Sequence, residues 1–129
     1  MRPFGWPALW LSIWLAMLAA VAIGSLLPVH DLPPLPLFPQ ADKLEHLLGY
    51  AALAAWATLL FSRSRTLLVV AFGLVAFGIA LEIAQALFTI DRQAEIFDVL
   101  ADAVGVVLGL SVARSRHADL LSRIEAHLR

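Results

Sequence analysis

The chain has 129 residues, of which 61% are hydrophobic and only 15% charged, with a net charge of −1 and a mean hydropathy of +0.86. A soluble domain averages about 45–50% apolar and roughly 25% charged residues, and this much apolar surface exceeds what so short a chain can bury in one core. An ordinary soluble domain is therefore excluded. The absence of cysteine also excludes disulfides, thiolate metal sites and cysteine nucleophiles.

Four apolar stretches approach the roughly 20 residues that a bilayer-crossing helix needs. The first runs from about Trp6 to Leu27 without a charge. Arg2 before it, with small residues near Ala22 and Gly24, leaves a cleaved signal peptide as the alternative, although the apolar run is longer than a usual signal core. A loop with Pro28, Pro33, Pro34, Pro36 and Pro39 follows, in which each ring fixes φ and removes a donor, so it is expected to be extended or turning.

The second stretch spans about Leu44 to Phe61, and the third Thr66 to Ile90, where only Glu82 and Gln85 interrupt it. The fourth, about Ile96 to Val112, is marginal because it holds Asp98 and Asp102. Its ten large apolar residues favour insertion by roughly 3–6 kcal/mol, whereas two aspartates at mid-bilayer oppose it by about 5–7 kcal/mol. It inserts only if both acids lie near one end and face protein or water.

From Arg114 to Arg129, Leu120, Leu121, Ile124 and Leu128 recur at helical spacing with Arg123, Glu125 and Arg129 between them. This reads as a short amphipathic helix on the membrane surface. The expected fold is thus all-α: one polytopic membrane domain over residues 1–129, with four transmembrane helices and a C-terminal amphipathic helix.

Alternating the sides of successive spans separates the charges. One side holds Arg2, Arg63, Arg65, Arg114, Arg116, Arg123 and Arg129 against Asp119 and Glu125, seven positive and two negative, or +5. The other holds Lys43 and Arg92 against Asp31, Asp42, Glu45, Glu82, Asp91, Glu95, Asp98 and Asp102, or −6. Seven basic residues against two place both termini in the cytoplasm. The arginines read as topology determinants, and no nucleic-acid partner is expected.

On the acidic side three helices present polar faces at one depth. Asp42, His46 and Tyr50 are four apart and share a face of the second span, with Lys43 beside them. Glu82 and Gln85 share a face of the third, and Glu82 lies roughly 12 Å along the axis from Ile90. Asp98 and Asp102 open the fourth, and their face continues through Gly105 and Gly109, a small-xxx-small seam for close helix approach. Arg92, in the connecting loop, can reach back to these acids. Ionisable groups inside a bilayer are costly and point to function. Taken singly, His46 reads as a packing histidine and Glu82 with Gln85 as interhelical glue. Asp91 and Glu95 read as ordinary interfacial charges. The convergence of three helices is what favours a binding site.

These residues resemble the VanZ-like family of small bacterial membrane proteins. The pattern D-K-x-x-H-x-x-x-Y is met by Asp42, Lys43, His46 and Tyr50. The later pattern, E-x-x-Q and then R-x5-D-x3-N-x2-G-x3-G, is met by Glu82, Gln85, Arg92, Asp98, Gly105 and Gly109, with Asp102 in place of the asparagine. The resemblance covers roughly residues 42–109 and implies a multi-pass protein of the bacterial cytoplasmic membrane. The family takes its name from a protein linked to low-level resistance to the glycopeptide teicoplanin, but the resemblance supplies no mechanism.

The leading functional expectation is a protein of the cell envelope that binds a membrane lipid or lipid-linked precursor from the extracytoplasmic side. Arg92, Lys43 and His46 would meet an anionic head group, and the carboxylates would position them or accept sugar hydroxyls. One alternative is an enzyme acting on a lipid-linked substrate, with His46 and Glu82 or Asp98 as acid and base; no nucleophile or nucleotide-binding motif accompanies it. Another is a small ion- or proton-coupled carrier, which four helices would support only as a homo-oligomer. No cofactor is expected and no metal is assigned, a divalent-cation site from His46, Glu82, Asp98 and Asp102 being the lesser reading.

Overall fold

A computed structural model describes residues 1–27, 41–89, 95–115 and 117–128, and every regular element among them is helical. They are α1 (Pro7–Leu26), α2 (Ala41–Leu60), α3 (Ser64–Phe88) and α4 (Ile96–Leu110), then a 3-10 turn (Ser111–Arg114) and α5 (Leu120–Leu128). The proline-rich loop with Asp31, the α3–α4 connection with Asp91 and Arg92, and the residues Arg116 and Arg129 lie outside the described residues.

Three helices are long and apolar enough to cross a membrane: Pro7–Leu26, Ser64–Phe88, and Ile96–Ala113, in which the 3-10 turn extends α4. The chain is a membrane-embedded helical protein. Of the four expected spans, α2 is the one outside this set. Its first turns carry Asp42, Lys43 and Glu45, and much of the remainder is alanine. It is nevertheless the most enclosed helix, burying Tyr50, Leu53, Ala54, Ala57, Thr58, Leu59 and Leu60. A helix wrapped by other helices presents little surface of its own to solvent or lipid, so it needs less hydropathy than one on the outside.

Cross-helix contacts set the directions. Arg2 N–H donates to the Leu60 carbonyl at 2.8 Å, so the start of α1 meets the end of α2. At the other end Gln85 Nε2 donates to the Ser25 carbonyl at 2.8 Å, joining the last turns of α3 and α1. Lys43 Nζ lies 2.7 Å from Glu95 Oε2, joining the first turns of α2 and α4. The four helices alternate in direction, and α2 and α4 run parallel as the most closely packed pair.

Local sequence explains the helix ends. Pro7 occupies the first turn of α1, where its missing N–H costs nothing. At the end of α3, Thr89 returns both its N–H, at 3.0 Å, and its hydroxyl, at 2.7 Å, to the Gln85 carbonyl. Asp98 stands in the first turn of α4, where the helix dipole favours a carboxylate.

The C-terminal helix differs from the expectation in extent and in placement. It occupies Leu120–Leu128 rather than the whole of 114–129, because the chain turns as a 3-10 segment at Ser111–Arg114. Leu121 and Glu125, one turn apart, are buried, Leu121 against Trp10, Leu59 and Leu60. Leu120, Ile124 and Leu128 form a separate exposed stripe. The helix is therefore docked on the bundle by one face and retains an apolar edge, whereas helical spacing alone presents the two as a single surface-binding face.

Candidate functional site

The site begins with the seam between α2 and α4. A methyl added to Gly105 would collide with the Leu47 carbonyl and lie 3.0 Å from Ala51 N. At Gly109 it would collide with the Ala51 carbonyl and lie 2.8 Å from Ala55 N. Only hydrogen fits at either position, so the two backbones touch, as the small-residue spacing predicts. Contact at 105 and 109 fixes the register of two parallel helices, and one turn further toward the acidic end Asp102 is brought opposite His46. Another turn brings Asp98 opposite Lys43.

His46 Nδ1 lies 2.9 Å from Asp102 Oδ1, with the aspartate 1% exposed. Lys43 Nζ reaches Asp98 Oδ1 at 3.3 Å, Asp42 Oδ2 at 3.3 Å and Glu95 Oε2 at 2.7 Å, at the mouth of the cluster. Asp42 itself is exposed and belongs to the rim.

Helix α3 contributes Glu82, which is 4% exposed. Its Oε2 accepts the backbone N–H of Glu95 at 2.9 Å, tying α3 to the N-cap residue of α4. One nitrogen of His46 and one carboxylate oxygen from each of Glu82 and Asp98 all lie within 4.8 Å of one another. Three helices thus converge through His46, Glu82, Asp98 and Asp102. Tyr50, 2% exposed, packs beneath them against Phe77, with ring centroids 6.4 Å apart.

The hydrogen-bond inventory is uneven. Among the described residues five buried side-chain polar atoms lack a hydrogen-bond partner, and four of them are Tyr50 Oη, Glu82 Oε1, Asp98 Oδ1 and Asp102 Oδ2. Asp98 Oδ1 has the Lys43 ammonium nearby; the others make no hydrogen bond among the described residues. Buried polar groups are nearly always paired because an unmet one costs about 1–3 kcal/mol. A concentration of unmet polar atoms in one place marks this cluster as the candidate site.

Several sequence-selected residues fall elsewhere. Gln85 is buried, but its amide hydrogen bond goes to Ser25, so it ties α3 to α1 and its role is packing at the edge of the cluster. Arg92 lies outside the described residues. Glu95, read as an ordinary interfacial charge, organises the mouth through both its backbone and its side chain. Gly78 was not singled out, yet a methyl there would collide with the Asp102 carboxylate and sit 3.1 Å from Tyr50 Oη. Its spacing of four before Glu82, on the same helical face, was the available signal.

No protein-family model, curated protein or solved structure matches the chain.

Proposed function

We propose that the chain is a VanZ-like protein of the bacterial cytoplasmic membrane whose buried cluster binds the polar head group of a membrane lipid or lipid-linked envelope precursor. One observation carries this reading: unpaired acceptors are gathered among three helices. Lys43 is already shared among Asp42, Glu95 and Asp98, and His46 faces Asp102. Among the described residues the cations are committed internally, so the groups left over call for a donor-rich head group bearing hydroxyls or amines rather than a bare anion. Lipids co-purified with the wild type and with His46→Ala, identified by mass, provide the test. A hydroxylated or aminated lipid retained by the wild type and depleted in the variant supports the reading; identical lipid profiles overturn it.

In this reading α2 is a fourth span, shielded by its neighbours, and both termini are cytoplasmic. The seven-to-two division of basic residues supports that orientation. Reporter fusions after Arg65 and Arg129 are expected to read cytoplasm, and fusions within the proline-rich loop to read exterior. The reverse pattern would place the cluster on the cytosolic side and remove the envelope assignment.

The 2.9 Å pairing of His46 with Asp102 supports a second reading, because an imidazole oriented by a carboxylate is the arrangement of a general base. Turnover of a lipid-phosphate substrate by the purified protein, lost in His46→Gln, would convert the binding site into an active site.

A further inference from the structure

We propose that His46, Glu82 and Asp98 together hold a divalent cation of the zinc class, with Asp102 orienting the His46 ring. The cation binds without lipid, so this inference goes beyond the head-group reading and does not depend on it.

The donor set comes first. One imidazole nitrogen and two carboxylate oxygens, each from a different helix, lie within 4.8 Å of one another. Zinc bonded at about 2.0–2.2 Å holds its ligand atoms roughly 3–3.5 Å apart. Closing that difference calls on side-chain rotation of Glu82 and Asp98. Imidazole joined to carboxylate favours zinc over calcium or magnesium, which prefer all-oxygen shells. Three protein ligands leave a fourth position open, where a head-group oxygen or water would bind.

The second observation is independent of ligand spacing. Glu82 is 4% exposed, its Oε2 is taken by the Glu95 N–H, and its Oε1 has no partner. That free oxygen belongs to a carboxylate gathered with Asp98, so a positive partner is what the geometry lacks. The balance of groups agrees. Glu82, Asp98 and Asp102 are buried carboxylates, and among the described residues Lys43 reaches Asp98 alone of the three, while it is also shared with Asp42 and Glu95.

The third observation is the orientation of the imidazole. Metal-bound histidines nearly always donate the other ring N–H to a carboxylate or carbonyl, which fixes the tautomer. His46 Nδ1 stands 2.9 Å from Asp102 Oδ1. With Nδ1–H donating there, Nε2 carries the lone pair that a metal would take.

The test uses the tag-free full chain in detergent, stripped with chelator and delipidated. Zn2+ is titrated by calorimetry, and Co2+ by its visible absorption, whose intensity reports four-coordination. The wild type is expected to bind one equivalent of each. Glu82→Gln and Asp98→Asn should lose the Co2+ bands, and Asp102→Asn should weaken binding by about 10–100-fold, as loss of an orienting partner does. A double variant, His117→Gln with His127→Gln, controls for the exposed histidines among the described residues and should bind like the wild type. Far-UV circular dichroism checks that each variant is folded. If Glu82→Gln is unfolded, X-ray absorption of the Zn2+-loaded wild type replaces it, with one nitrogen and otherwise oxygen ligands expected. Absence of saturable binding by the wild type overturns the proposal, as does binding untouched by the Glu82 and Asp98 variants or abolished in the histidine double variant. Because metal is measured on delipidated protein, and the lipid profile is repeated on protein purified in chelator, the metal and head-group readings fail separately.

Discussion

Glu125 and Glu82 are buried glutamates at opposite ends of the bundle, 5% and 4% exposed, and their surroundings differ. Glu125, on α5, accepts the backbone N–H groups of Gly5 at 2.8 Å and Trp6 at 2.7 Å, and the Trp10 indole at 3.3 Å. Both its oxygens are occupied. The donors belong to the entry of α1, where no side chain of α1 itself caps the helix, so a carboxylate from the far end of the chain supplies the cap and complements the dipole. Glu82 has one oxygen on the Glu95 N–H and the other on nothing. A saturated buried carboxylate closes a structure. A half-saturated one among other carboxylates leaves a place for something else, and that is why we read one end as a clasp and the other as a site.

The comparison can be broken by substitution. Glu125→Ala should have the largest effect on stability, about 3 kcal/mol, because it leaves two N–H groups and an indole without their charged acceptor. Thermal unfolding in detergent measures it, and zinc binding by the folded fraction should be unchanged. A loss of less than about 1 kcal/mol would show that α5 is not a clasp.

Next in size is Gly109→Ala, which places a methyl against the Ala51 carbonyl and Ala54 Cβ. Overpacking of this kind costs about 1–3 kcal/mol. Gly105→Ala should act similarly and, lying next to the site, should also disturb the His46–Asp102 pairing, read as weakened zinc or lipid binding. If both are silent, the backbones do not touch and the register argument fails.

Glu82→Gln should change stability by less than about 1 kcal/mol. The amide keeps an acceptor for the Glu95 N–H and offers a donor where the carboxylate oxygen had none. An unaltered or raised melting temperature with impaired binding marks Glu82 as a functional residue, whereas marked destabilisation would place it in the class of Glu125. The smallest effect on stability is expected for Asp102→Asn, which can still accept from His46 while its NH2 replaces an oxygen that has no partner near Gly78 and Tyr50. The melting temperature should hold or rise slightly; a large fall would show that the His46–Asp102 contact is a structural ion pair.

Much of the architecture was legible in the residues. The four apolar stretches fall on α1 to α4 within about three residues at each end, because lipid-exposed and buried helices both demand long apolar runs. The Gly105–Gly109 seam was legible too, since a spacing of four on one face has few uses other than close approach. The meeting of His46, Glu82, Asp98 and Asp102 at one depth followed from alternating the helix directions and counting turns. The sequence did not distinguish the hydrogen-bonding roles of similar residues. Gln85 and Glu82 share a face, yet a small rotation of α3 gives Gln85 to the Ser25 carbonyl and Glu82 to the cluster.

By itself, then, the sequence determined what depends on composition and period: a helical membrane-embedded chain, the order of its helices, and which residues could share a face. Tertiary structure decided what depends on sub-ångström closeness between segments distant in the chain. It made α2, the least apolar of the four helices, the enclosed one. It turned Glu125 from one charge among several on an amphipathic helix into the cap of α1, 119 residues away along the chain. It also divided the buried carboxylates into saturated and unsaturated ones. Hydrogen bonds cannot be counted from a sequence, because each requires a donor within about 3 Å, and periodicity places side chains only to within a helical turn.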